Sequence, residues 1–135
     1  MERSVVNIRT DCVYASSRPI EILTNFLIDD VGGRSIDSLL EWINDDKYDF
    51  SILNYSYLKK DGGKIYIYFF YDGYGKKEDK KRERFETTKE HLIDIAKKWE
   101  KAYKEKYSYT LLFLKNNMIE IVGKGTAEHA RLLNL

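Results

Sequence analysis

Lys64-Ile-Tyr-Ile-Tyr-Phe-Phe-Tyr71 is the segment that most narrows what this chain can fold into. An unbroken run of Ile, Tyr and Phe suits a pleated strand. Strand side chains alternate, so Tyr66, Tyr68 and Phe70 face one way and Ile65, Ile67, Phe69 and Tyr71 the other. Both faces are apolar, so both need cover: helices on one, long side chains or a partner on the other. Lys59-Lys60-Asp61-Gly62-Gly63 supplies turn residues just upstream, and Phe50 to Leu58 has strand composition, which predicts a hairpin. A second hairpin is predicted from Tyr109 to Leu114 and Met118 to Val122, because Asn116-Asn117 between them tolerates the positive φ of a tight turn. Val5 to Ile8 reads as an N-terminal strand whose end is open between Ile8 and Tyr14.

Three segments have helical period instead. Pro19, with Ser17 upstream, suits a first helical turn; Ile20, Leu23, Phe26, Leu27 and Val31 follow at helical spacing, and Gly32-Gly33 ends the run. Ser35 is placed to cap a shorter helix carrying Ile36, Leu39, Leu40 and Ile43. Thr87 and Glu90 have capping-box spacing ahead of the stripe Leu92, Ile95, Ala96, Trp99 and Tyr103. The order is strand, helix, helix, hairpin, helix, hairpin. It predicts an α+β, two-layer domain: an antiparallel sheet built from two hairpins, packed against about three helices.

At 135 residues and 43% hydrophobic, with one proline, the chain is expected to form a single domain over 1–135. Asp72 to Arg84 reads as an exposed charged loop and Gly123 to Leu135 as a flexible tail. Cys12 has no second cysteine to pair with, Met1 to Thr10 lacks the apolar core of a signal peptide, and no run approaches a membrane span. A cytoplasmic protein with no membrane contact is expected.

The residues that carry chemistry are sparse. His91 stands beside Glu90 in a first helical turn, and His129 lies in the tail; neither has a Cys or second His at ligand spacing. Gly73-Tyr74-Gly75-Lys76-Lys77 lacks the Gly-Lys-Ser/Thr pattern of a phosphate loop, and no calcium-loop spacing occurs. No catalytic residue, metal or cofactor is expected.

Charge is uneven. The first 50 residues hold five Lys or Arg against ten Asp or Glu, and the remainder holds 18 against 12. Asp29, Asp30, Asp37, Glu41, Asp45, Asp46 and Asp49 form an acidic stretch that reads either as a surface for a basic protein or as ordinary solvated helix faces. Tyr48 beside it, with Trp42 where it is not core, offers aromatic anchors of the kind that carry interface energy. Tyrosine is in excess at 11 copies. A different reading joins the basic loop 76–84 to Tyr66, Tyr68 and Phe70 as a nucleic-acid-binding or regulatory module, cations holding phosphates beside a stacking strand.

From about Asp49 to Val122 the chain resembles small bacterial immunity proteins of contact-dependent growth inhibition and related polymorphic toxin systems. The resemblance rests on the aromatic hairpin strand 64–71, the charged loop, Phe85-Glu-Thr-Thr-Lys-Glu-His-Leu92 leading into the helix with Trp99, and the closing hairpin through Asn116-Asn117. It implies an antidote that binds a cognate toxin domain, commonly a nuclease, and neutralises it without catalysis. Nucleic acid is then not the expected partner. Charge and aromatic placement, not the family, supply the candidate partner-binding residues: Asp29, Asp30, Asp37, Glu41, Asp45, Asp46, Tyr48, Asp49, Tyr66 and Tyr68.

Overall fold

Eight strands and three α-helices follow one another along the residues described by the computed structural model, which are 2–7, 12–70, 83–105 and 109–124. The order is β1 (Arg3–Asn7), β2 (Cys12–Ala15), α1 (Arg18–Asn25) running directly into a π-helical segment (Phe26–Val31), α2 (Asp37–Asn44), β3 (Phe50–Ile52), β4 (Ser56–Asp61), β5 (Lys64–Phe69), β6 (Phe85–Thr88), α3 (Lys89–Lys104), β7 (Tyr109–Lys115) and β8 (Met118–Lys124). The α+β class is as the pattern predicts. Both hairpins form, turning at Gly62-Gly63 and at Asn116-Asn117, where all four residues have positive φ.

The two hairpins do not share a sheet. β4 and β5 are the centre of one antiparallel sheet of order β3-β4-β5-β6, while β7 and β8 belong to another of order β2-β1-β7-β8. A helix rises about 1.5 Å per residue, so the 16 residues of α3 carry the chain well away from β6 before β7 begins. The free side of β7 is then taken by β1, with Arg3 opposite Phe113 and Asn7 opposite Tyr109.

Other boundaries differ from expectation for local reasons. Phe50 to Leu58 is not one strand: the chain turns at 53–55, and β3 folds back on β4. The N-terminal run is likewise two antiparallel strands. The first helix ends in a π turn, in which Gly32 N–H donates to Leu27 C=O at 2.7 Å. Thr88, not Thr87, caps α3, its hydroxyl accepting from His91 N–H at 3.2 Å, while Thr87 is a buried residue of β6. β8 continues through Gly123 to Lys124, and the rest of the expected tail lies outside the described residues.

One apolar cluster joins both sheets to the helices. It takes Ile20, Leu23, Phe26 and Leu27 from the first helical run, Leu92, Ile95, Ala96 and Trp99 from α3, Leu58, Ile65 and Ile67 from one sheet, and Val6, Leu112 and Ile119 from the other. Burial of each Val, Leu, Ile or Phe side chain among them contributes about 1.5–3 kcal/mol. The opposite face of β4 and β5 carries a separate cluster of Tyr57, Tyr66 and Tyr68. The Tyr57 and Tyr68 rings stack at 4.6 Å and 9°. Arg84 closes this face: its guanidinium lies 3.9 Å from the Tyr66 ring centre and donates to Tyr68 Oη at 3.0 Å.

Candidate protein-binding site

α2 is fastened to the sheet at its edge. Ile43 is buried, Leu39 and Leu40 are half-buried against the core, and Trp42 Nε1 donates to the Phe50 carbonyl at 3.1 Å. Lys60 Nζ sits 4.3 Å over the Trp42 ring and donates to the Asp45 carbonyl. This docking turns Asp37 and Glu41, one turn apart, to solvent. The loop that follows adds exposed Asp46, Tyr48 and Asp49 and half-buried Asp45, with Lys47 the cation among them.

β3 is the edge strand of its sheet, and its hydrogen bonds fix which way it faces. Lys60 N–H donates to Asp49 C=O at 2.8 Å, and Leu53 N–H to Ser56 C=O at 2.9 Å. In an antiparallel ladder bonded pairs recur every second residue. Ser51 therefore bonds inward to Leu58, and the backbone groups of Phe50 and Ile52 point outward. Tyr48, Phe50 and Ile52 are 64%, 51% and 58% exposed, and Tyr55, beyond the turn, is 41% exposed. Alternation puts Phe50 and Ile52 on one face of the strand, an apolar ridge next to the 45–49 loop, with Lys59 Nζ 5.8 Å from the Phe50 ring centre.

One feature of this edge opposes stability: an exposed edge with large apolar side chains invites unwanted pairing. Asp45 and Asp46 follow the negative end of α2, which has no basic residue in its last turn, but Lys60 supplies a cation there through the Asp45 carbonyl. Asp45 Oδ1 accepts from Lys47 N–H at 2.8 Å, and Lys89 approaches Asp46 at 3.5 Å, an exposed pair of small energetic weight. A breach of local rules such as the exposed edge is expected where function demands it.

Four of the candidate residues thus share the loop that leads into this edge: Asp45, Asp46, Tyr48 and Asp49. Asp37 and Glu41 lie back along α2, and Asp37 lines a groove with Tyr103 and Lys104 of α3. The other four do not join them. Asp29 is half-buried in the π segment. Asp30 holds the β3–β4 turn, its Oδ1 accepting from Tyr55 N–H at 3.2 Å. Tyr66 and Tyr68 are buried beneath Arg84, so the sheet face read as a stacking platform is already occupied. Of the basic loop, residues 76–82 lie outside the described residues. The reading of the residues missed Phe50 and Ile52, although their alternation with Asp49 and Ser51 is a legible strand signal.

Asp30 also borders a groove of about 440 Å³, whose walls include Phe26, Val31, Ile36, Leu39 and Leu53. Asp30 Oδ2 and Ser56 Oγ are both buried, neither with a hydrogen bond of regular geometry. Burial raises the Asp30 pKa above its ordinary 3.8, against smaller opposing effects from Ser56, the Tyr55 and Asn54 amides, and Arg34. A raised carboxyl pKa adds stability that is fully present below the unfolded pKa and is lost as pH rises through the folded one. Asp30→Asn keeps the acceptor for Tyr55 and does not titrate. Its deficit relative to the native chain in urea unfolding should therefore be larger near pH 3.5 than near pH 7; a deficit that grows with pH would refute the burial argument.

Among the described residues no group of three or more His, Cys, Asp or Glu is placed to hold a metal, and no helix is long and apolar enough to cross a membrane. No family model matches the chain, and neither a curated protein nor a solved structure matches it.

Proposed function

We propose that this protein is an immunity protein that binds and neutralises a cognate toxin domain in the cytoplasm, through the edge formed by α2, the 45–49 loop and β3. The observation that supports a protein partner is the exposed apolar ridge on β3, with the carboxylates Asp45, Asp46 and Asp49 in the loop that leads into it. Apolar and aromatic side chains ringed by charge are what desolvated interface centres use. The carboxylates select a basic partner, and a nuclease domain, which must hold phosphates, has that chemistry. The resemblance to immunity proteins supports the assignment of the partner as a toxin. This reading gives the protein no catalytic, cofactor or metal role.

The test is co-purification of the tagged protein with the product of the adjacent gene, followed by calorimetry and a growth-protection assay. One-to-one binding at nanomolar Kd is expected. The pair Tyr48→Ala and Phe50→Ala should weaken it at least about 100-fold, or about 2.7 kcal/mol. Asp46→Asn with Asp49→Asn should slow association and flatten its salt dependence while leaving the fold as stable or more so. Absence of both binding and protection would overturn the assignment; binding that ignores all four substitutions would move the interface elsewhere.

A further inference from the structure

We infer that Trp42, braced by Lys60, guards the β3 edge. It closes the outward backbone at Phe50 to a further strand, so that the apolar ridge stands exposed without drawing in a second copy of this chain. That the ridge is kept open for a protein partner rests on the reading above; the guard itself does not.

The ladder bonds at Asp49/Lys60 and Leu53/Ser56 turn the backbone groups of Phe50 and Ile52 away from β4. β3 is three residues long, so these are the two positions from which it could hold another strand. The first is taken: Trp42 Nε1 donates to Phe50 C=O at 3.1 Å. What remains is Ile52, whose N–H and C=O can bond a single incoming residue. That is too short a ladder to join two chains, since even a complete pair of strands is marginal in water.

Lys60 holds the indole in place from β4. Its Nζ lies 4.3 Å over the Trp42 ring, a cation on the π face. The same ammonium donates to Asp45 C=O just past α2, and Lys60 N–H donates to Asp49 C=O at 2.8 Å just before β3. One residue thus ties together the end of α2, the start of β3 and the ring. Lys59, opposite Phe50 in the ladder, places its Nζ 5.8 Å from that ring centre, and lysines on an edge are a common defence against pairing. The strand to be excluded is a second β3. Under a two-fold axis an antiparallel β3–β3 pair would set each apolar ridge beside its own copy. A partner that uses the ridge must then read its side chains rather than extend the sheet.

The test is sedimentation velocity on the full-length ¹⁵N-labelled protein, joined to amide hydrogen exchange at Ile52. Native protein is compared with Trp42→Phe, Trp42→Ala and Lys60→Met. Phenylalanine keeps most of the packing and drops the donor, alanine removes the ring as well, and methionine keeps the Lys60 stem without its charge. The native chain should stay monomeric to the highest concentration reached, with Ile52 exchanging as an open amide. Trp42→Phe should associate at least about tenfold below that concentration, as expected when a hydrogen bond that blocks pairing is lost. Trp42→Ala should associate lower still, and Lys60→Met between native and Trp42→Phe. In the associated state the Ile52 amide should exchange at least about tenfold more slowly. Adding Ile52→Pro should restore the monomer, because proline removes the outward donor and costs no bond to β4. Trp42→Phe carries the test where Trp42→Ala fails to fold. Tryptophan variants as monomeric as the native chain, association that leaves the Ile52 amide open, or a native chain already paired through Ile52 would overturn the inference. None of these readouts involves the adjacent gene's product, so failure of the antidote assignment and failure of the guard are separable.

Discussion

Trp99→Ala should lower stability by about 3–5 kcal/mol, a large part of the roughly 5–15 kcal/mol by which a domain is stable at all. Trp99 has no exposed surface and belongs to the core that joins both sheets. Its indole does more than fill volume: Nε1 donates to the Gly32 carbonyl at 2.9 Å, tying α3 to the end of the π segment. Tyr103, one turn on, lies against it at 5.9 Å and 49°. Removal opens a cavity and strips the donor from a backbone acceptor, two costs that add. Trp99→Phe keeps most of the volume and loses the donor, so it should fall between, near 1–3 kcal/mol. Urea unfolding followed by far-ultraviolet circular dichroism reads both. A loss below about 1 kcal/mol for the alanine variant would mean that this residue does not join the halves of the core.

The second large effect is expected on the opposite face of the sheet. Tyr68→Ala should cost about 3–5 kcal/mol, although Tyr68 belongs to the smaller tyrosine cluster and not to the main core. It is fully buried, stacked on Tyr57, and is the acceptor for Arg84. Tyr68→Phe isolates the hydroxyl and should cost about 1.5–3 kcal/mol, the range for a hydrogen bond to a charged group. Arg84→Ala should lose that bond together with the cation over Tyr66. In a double-mutant cycle, Tyr68→Phe and Arg84→Ala should be clearly non-additive. Additive losses would show that the contact contributes nothing of its own.

Much of the fold is legible in the residues. The 64–71 run and the Gly62-Gly63 and Asn116-Asn117 turns place two hairpins, because their signals are local: β-branched and aromatic composition, and positive φ where only Gly and Asn accept it cheaply. The α1 and α3 stripes are equally local. What escapes is set by residues distant in sequence. The break between β3 and β4 depends on Asp30, whose carboxylate holds Tyr55 N–H from 25 positions upstream. β6 is four residues long, and Phe85-Glu-Thr-Thr reads as easily as the approach to a helix cap. The split into two sheets depends on β1 reaching β7, which no local pattern encodes.

The site divides the same way. Asp45 to Asp49 is contiguous, so its place on one edge follows once α2 and β3 are placed. Strand alternation correctly puts Tyr66 and Tyr68 together, but says nothing of whether Arg84 lies over them. The exposure of Phe50 and Ile52 follows from β3 being an edge, a property of strand order rather than of composition.

The β1–β7 pairing also sets a timetable. Arg3 lies opposite Phe113, so the first strand's principal neighbour is made only after both other hairpin strands, β4 and β5, and α3. Strands 50–88 find their partners within a few dozen residues, and that sheet can assemble as the chain emerges. At about 5–20 residues per second, Val5 and Val6 have β2 alone to pair with for roughly 5–20 s of synthesis. High contact order of this kind slows folding. One sheet is therefore committed early, and the other waits for β7.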